Sequence, residues 1–289
     1  AVVISLGIVA FIGFNFIQDK LNPRIGQLSV NVSNQKAKVF LDDSLIGTTP
    51  LYAKNLPLGD HRIRIESEKN TSKSFSWQTS TTLTKSTIST IDLDLAPSQN
   101  FSAGESLYFQ PGNKTVSILS RPDNAVVLID QKERGKTPLT LTLEKGVHQL
   151  LLKKEGFLDR EVPINMEEGY KLSAVVYLAR NPFEKVTKID SNNKISLFIL
   201  NSLYNNLAKD SSDWVEGIDF IQQSFNSSQT KFDVLIDSSG KSYILNKTEW
   251  ENKKQSKSVS TVGYLARASE TKLTEAANST WQKLKEEFN

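Results

Sequence analysis

Two histidines are the only imidazoles among the 289 residues, and no cysteine accompanies them. His61 and His148 each follow a glycine turn, in Gly59-Asp-His61 and Gly146-Val-His148, so they hold equivalent places in a repeated pattern. Equivalence by repetition points to a structural task at a strand start rather than to metal ligation or acid–base chemistry. Without thiols, disulfides, cysteine nucleophiles and thiolate metal sites are excluded. Past His148 there is no imidazole either. That removes Ser-His-Asp triads, Cys-His dyads and histidine zinc sites from residues 183–289. Chemistry there would need carboxylates or a Ser–Lys pair. Asp233 and Asp237 share one side of a predicted strand at ~13 Å, beyond the ~5–9.5 Å across which two carboxylates flank a glycosidic bond. The segment Asp237-Ser-Ser-Gly240-Lys241 lacks the Gly-x-x-x-x-Gly-Lys spacing that wraps amides around phosphate, and reads as a hairpin turn. No catalytic residue, metal site or cofactor is expected.

Aromatic rings are the remaining ligand candidates, since Trp214, Trp250, Trp281 and Tyr264 are of the type that stacks on sugars. Trp214 and Trp281 lie on apolar stripes and are expected to be buried. Trp250, set among Glu249, Glu251, Asn252 and Lys253, is expected to be the exposed one and a candidate ligand contact. Tyr108 and Phe109, in the triplet Leu107-Tyr108-Phe109, are the other candidate contacts. That triplet is costly to solvate, which predicts packing against a neighbouring module and a fixed pair of repeats.

The elements that carry these residues come twice. Gly47-Thr48-Thr49-Pro50 recurs 88 residues later as Gly135-Lys136-Thr137-Pro138. Ala37 and Asp42 precede the first copy as Ala125 and Asp130 precede the second. Gly59 and His61 follow the first as Gly146 and His148 follow the second, now with a one-residue slip. Repetition at this level marks one supersecondary unit used twice. Val126 to Ile129 is an apolar, β-branched run, and Leu139-Thr-Leu-Thr-Leu143 alternates strictly, as a half-buried strand does. Gly135 supplies a backbone angle that a Cβ resists, and Pro138 interrupts the ladder. Residues 71–90, dense in Ser and Thr, carry the alternation Phe75/Trp77 and lead into Ile91/Leu93/Leu95, which predicts strands with threonines on their exposed faces.

The frame Pro122-Asp-Asn-Ala125, Val127, Leu128, Asp130, Gly135, Thr137-Pro138, Gly146, His148 and Glu155-Gly156-Phe157 resembles the PEGA domain. The first copy departs from it, with Asn34-Gln-Lys-Ala37 in place of Pro-x-x-Ala and Ser67-Glu-Lys-Asn70 where Gly-Phe would stand. The resemblance covers about half of the chain. It implies small β-sandwich-like modules, found mainly outside the prokaryotic cytoplasm, with binding or spacer roles and no catalytic residues.

Around the repeats, residues 1–17 are uncharged and almost wholly apolar. As a helix they would reach ~26 Å, close to a ~30 Å hydrocarbon core, so residues 1–20 are expected to be a transmembrane anchor. Gly7, Ala10 and Gly13 would let a second helix approach it closely. Repeat one is expected at 27–96, a linker at 97–114, repeat two at 115–180, and a small α+β domain at 183–289. Within that last unit, Ile195, Phe198, Ile199, Leu203 and Leu207 predict an amphipathic helix over 194–209. A second helix is expected from Ser212, then a hairpin from 232 to 245, a mobile polar stretch at 249–258, and a final helix within 269–288. The expected fold is therefore mainly β, with an α+β C-terminal domain behind an N-terminal transmembrane helix.

The 35 basic and 32 acidic residues nearly cancel, which argues against a nucleic-acid partner. The functional expectation is a non-enzymatic scaffold or interaction protein of the cell membrane, single-pass, with its bulk extracytoplasmic. Its partners would be membrane lipid through residues 1–17 and another envelope or membrane protein. The alternatives are a binder of cell-wall polysaccharide or peptidoglycan, and an envelope hydrolase with its site in 183–289.

Overall fold

The computed structural model describes residues 25–68, 75–224, 230–256 and 258–288. The expected anchor, with Gly7, Ala10 and Gly13, lies outside the described residues, and no described helix is long and apolar enough to cross a membrane.

Strands dominate, in four sheets. Repeat one runs β1 (Ile25–Val32), β2 (Ala37–Leu41), β3 (Ser44–Thr48), β4 (Leu51–Pro57), β5 (Gly59–Ser67), β6 (Ser76–Leu83) and β7 (Ile88–Asp94). Repeat two runs β9 (Thr115–Arg121), β10 (Val126–Ile129), β11 (Lys132–Lys136), β12 (Leu139–Thr142), β13 (Gly146–Lys153), β14 (Arg160–Met166) and β15 (Tyr170–Tyr177). The two copies follow one plan. β3-β2-β5-β6 forms one four-stranded sheet and β11-β10-β13-β14 the other. In each copy the first strand pairs antiparallel with the fourth and parallel with the seventh. The Ser/Thr-dense tail of repeat one is strand, as expected, with Trp77 in the core.

The one-residue slip between the copies has a local cause. In the β1–β4 pair, Gly26 faces Leu56 and Leu28 faces Ala53, so two residues of β4 oppose one of β1. Asn55 takes φ 62° at this bulge, while β9 and β12 pair without a shift. Repeat one thus carries one extra residue as a β-bulge.

Residues 97–114 are not a bare linker. They hold β8 (Ala103–Pro111), which pairs antiparallel with β7 on one side and β15 on the other. Three strands of each repeat thereby join in one seven-stranded sheet, β12-β9-β15-β8-β7-β1-β4. Side chains alternate across a strand, and here the two faces serve different cores. Leu172, Ala174 and Val176 of β15 belong to the core of repeat two, while Val175 and Tyr177 pack into that of repeat one. The two small sheets accordingly cover opposite faces of the shared sheet. Trp77 and Tyr177 meet edge to face at 4.9 Å, and the Tyr177 hydroxyl donates to Thr79 Oγ1 at 2.9 Å.

The C-terminal unit has a mixed five-stranded sheet of β16 (Lys185–Ser191), β17 (Ile195–Asn201), β18 (Val234–Ile236), β19 (Ser242–Ile244) and β20 (Ser260–Leu265). Their order is β16-β17-β20-β18-β19, and the three central strands are parallel. Helix α1 (Ser211–Ser224) packs through Trp214, Ile218 and Ile221 on one face. Helices α2 (Lys247–Ser256) and α3 (Glu275–Glu286) cover the other through Trp250, Ala277, Trp281 and Leu284.

Two expectations fail here. Residues 195–201 form a strand, not part of a helix, because Ile195, Leu197 and Ile199 fill one core while Leu200 and Phe198 face the other. A strand buried on both faces reads as a near-continuous apolar run, and such a run also fits helical spacing. The polar stretch 249–258 is largely helix α2, ordered because Trp250 packs at 5.0 Å against Phe288. The hairpin at 232–245 and the helices near 212 and 275 stand as expected, α3 capped by the Thr274 side chain, which accepts from the Ala277 amide.

Candidate functional site

The repeated residues build two local devices. Where the chain crosses from one sheet to the other, the Thr137 amide donates to the Ala125 carbonyl at 2.9 Å, and the Ala125 amide donates back to Thr137 Oγ1 at 3.0 Å. Thr49 and Ala37 do the same at 2.8 and 3.0 Å. Both threonines are buried, so the hydroxyl is there to satisfy a buried amide, a group costly to leave unpaired. The adjacent Gly135 sits at φ 137°, a conformation side chains resist.

The second device joins the repeated Asp and His. Asp130 and Gln131 form a two-residue hairpin turn with φ of 50° and 66°, values that fit a type I′ turn. Asp130 Oδ1 accepts from the Gln149 amide at 2.9 Å, and Oδ2 meets His148 Nδ1 at 2.7 Å. His148 Nε2 faces the Glu144 carbonyl at 3.0 Å. In repeat one, Asp42 takes the Arg62 amide at 2.9 Å and His61 Nδ1 at 2.6 Å, with His61 Nε2 at 2.9 Å from the Pro57 carbonyl. Both ring nitrogens of His148 thus meet acceptors. The Asp130 hydrogen bond, then that to the Glu144 carbonyl, hold its pKa above the usual imidazole value. The His148 and His61 hydrogen bonds hold Asp130 and Asp42 low. Each histidine is a clasp between two turns, as its place in the repeat implied.

At the seam of the repeats lies a charged cluster. Arg160 of β14 bonds Asp94 Oδ2 through Nη1 at 2.5 Å and Glu105 Oε2 through Nε at 2.8 Å. Glu105 is 8% exposed. Burial pushes its carboxyl up to about 7 against the pull of Arg160, with Asp92 and Asp94 adding to the rise.

The C-terminal unit is seated on the repeats. Phe101, in the β7–β8 connection, meets Trp214 edge to face at 5.1 Å, and Gly217 leaves the space for its ring. The Asn100 side chain donates to Asp213 at 2.9 Å, and Asn205 donates to the Gly156 carbonyl at 2.9 Å.

One crevice of this unit, of about 440 Å³, opens beside the carboxyl ends of β17 and β20, lined among others by Glu184, Asn201, Leu203, Tyr204 and Ala268. The chain leaves β17 toward α1 on one face and β20 toward α3 on the other. Adjacent parallel strands whose connections diverge in this way leave a crevice where α/β sheets hold ligands. Ser202 fixes its loop, its hydroxyl accepting from the amides of Tyr204 at 3.1 Å and Asn205 at 2.9 Å. Leu203 and Tyr204 are held outward at 81% and 53% exposure. Sequence reasoning missed this crevice by placing Leu203 on a helical stripe. The break at Asn201-Ser202 after an apolar run is the signal that marks it.

The expected site residues are scattered. Trp250 is 1% exposed and sealed in a core, which corrects the expectation of an exposed stacking ring. Phe109 packs on the core of repeat two and meets Tyr170 at 5.9 Å, while Tyr108 is half-buried on the opposite face. Asp233 is engaged by Lys253 Nζ at 2.6 Å and the Thr261 amide at 2.8 Å. Burial raises the Asp237 carboxyl, but hydrogen bonds from Ser239, Tyr243 and the Lys241 amide outweigh it and leave the group low. Among the described residues, no cluster of three or more His, Cys, Asp or Glu is placed to hold a metal.

A family model, the PEGA domain, matches residues 25–99 and again residues 113–179. No curated protein and no solved structure matches the chain. With the two matches falling on the two strand-for-strand equivalent units, the chain is a PEGA-domain protein carrying two PEGA repeats.

Proposed function

We propose that this chain is a membrane-anchored, extracytoplasmic scaffold, an accessory subunit of an envelope or membrane complex. The apolar residues 1–17 would hold it to the bilayer, and the fused repeats would present the C-terminal unit to a partner. The observation that carries this is β8, which makes one sheet of two repeats and leads through Phe101 into the C-terminal core. A spacer whose modules share a sheet transmits position, because no linker between them can bend. The carboxylates Asp233 and Asp237 serve the hairpin and its neighbours, so hydrolysis finds little support. The buried Trp250 withdraws the ring on which a cell-wall polymer reading leaned.

The test is gentle solubilisation of membranes carrying the tagged chain, chemical crosslinking and identification of what is retained. One protein retained in fixed proportion, and lost when residues 183–289 are deleted, is the expected result. Recovery of the tagged chain from the soluble fraction, or retention of nothing beyond an untagged control, would overturn the proposal.

A further inference from the structure

The crevice at the ends of β17 and β20 has two unpartnered acceptor atoms in its lining. Asn201 is 4% exposed; its amide nitrogen is committed to the Glu270 carbonyl at 3.2 Å, and its Oδ1 has no partner. Glu184 Oε2 is likewise buried without a partner, on the same lining, while the Gly156, Tyr204 and Leu203 amides bond the Glu184 carboxylate. Buried acceptors rarely stay unsatisfied in native proteins, because each forfeits its hydrogen bonds to water without replacement. Two of them on one crevice call for a donor from outside. Nearby, Glu155 bonds the Tyr204 hydroxyl, and Glu270 accepts from the Tyr264 hydroxyl at 3.2 Å and the Arg267 amide at 3.0 Å and pairs with the Arg267 side chain at 3.7 Å. Lys185, the cation at the rim, is exposed.

A guanidinium group meets these demands better than an ammonium does. It is planar, always charged, offers donors in a fork to a carboxylate and a neighbouring carbonyl together, and stacks on a tyrosine ring. We propose that this crevice binds a guanidinium group, with Glu184 Oε2 and Asn201 Oδ1 accepting its hydrogens and Tyr204 forming the flanking wall. The group can arrive on a free guanidino compound or on an arginine side chain of a partner protein. For the second source, Leu203 at the mouth supplies an apolar contact for the residues beside the arginine.

Calorimetric titration of the full chain in mild detergent separates these outcomes, using three probes: N-acetyl-arginine amide, its citrulline counterpart, and an unstructured pentapeptide with a central arginine between leucines. Arginine amide should bind at least tenfold tighter than the citrulline amide, which keeps the shape and loses the charge. Glu184→Gln, nearly isosteric, should weaken the arginine probes roughly tenfold, the ratio that ~1.4 kcal/mol produces, while its urea midpoint falls no lower than that of the wild type. Leu203→Ser, at an exposed site, should weaken the pentapeptide alone if a partner's arginine is the occupant. Equal binding of both arginine probes, indifferent to Leu203→Ser, assigns the crevice to a free guanidino compound. Equal affinity for arginine and citrulline amides, unchanged binding by Glu184→Gln, or no heat up to about 10 mM of any probe, a free energy near −3 kcal/mol, would overturn the proposal.

Discussion

Replacing Glu105 by Gln tests the physics of the seam. The carboxyl rises from its ordinary 4.5 to about 7 because burial outweighs the attraction of Arg160. A group whose pKa is higher folded than unfolded stabilises the fold most where it is protonated in both states. Stability from Glu105 is therefore complete below 4.5, falls as pH rises toward 7, and is level above that. At ~1.4 kcal/mol per unit, the full fall is roughly 3 kcal/mol. Gln keeps the volume and an oxygen for the Arg160 Nε–H, and it never ionises. Relative to wild type, the Glu105→Gln variant should thus gain roughly 3 kcal/mol between pH 4.5 and pH 8. Urea unfolding followed by tryptophan fluorescence at several pH values reads this directly. Parallel stability curves for the two proteins, or a variant that loses ground as pH rises, would refute the reasoning and make the ion pair a net stabiliser at neutral pH. The converse change, Arg160→Met, leaves Asp94 and Glu105 without their cation and should cost ~3–5 kcal/mol at pH 8, shrinking toward acid pH as Glu105 takes up its proton.

The remaining expectations concern single devices. Thr137→Val strips the hydroxyl from the buried Ala125 amide and should cost ~1–3 kcal/mol, and Thr49→Val should cost a similar amount in the twin site, both measured by urea unfolding. The His148 imidazole should titrate with a midpoint above 6.5 by proton NMR, the two histidine signals being assigned with His61→Gln. Its contribution to stability is complete below 6.5 and is lost as pH rises through the folded value, while that of Asp130 is present above 3.8 and is lost as pH falls through its own. The clasp therefore works best between those limits, and a midpoint at or below 6.5 would contradict the hydrogen bonding. Trp250→Ala should lower stability by ~3–5 kcal/mol, as truncation of a buried aromatic does, and should shift the thermal transition. A variant with wild-type stability would put Trp250 back on the surface.

How legible each part was in the sequence follows from the range over which its cause acts. The Gly135 angle, the Ala125–Thr137 exchange and the Asp130–His148 clasp are each satisfied within one supersecondary unit, and a repeat of that unit repeats its residues. Those positions could be read from spacing alone, as could the strands of the Ser/Thr-dense tail and the 232–245 hairpin. The apolar triplet Leu107-Tyr108-Phe109 pointed to a fixed pair of repeats, but nothing local in Ala103 to Pro111 says that it joins them as a shared strand, because its partners Ile88–Asp94 and Tyr170–Tyr177 lie on either side of it in the chain. Arg160 and Glu105 are 55 residues apart and carry no motif. Residues 195–201 fit two periods equally well until β20 pairs beside them and the helices cover both faces. The sequence by itself thus determined the repeated unit, through backbone angles and side-chain hydrogen bonds that a few neighbouring residues settle. Tertiary structure alone decided that β8 fuses the repeats, that Trp250 is core, and that a crevice opens beyond Asn201, since each of these depends on which distant strand or helix arrives to cover a face.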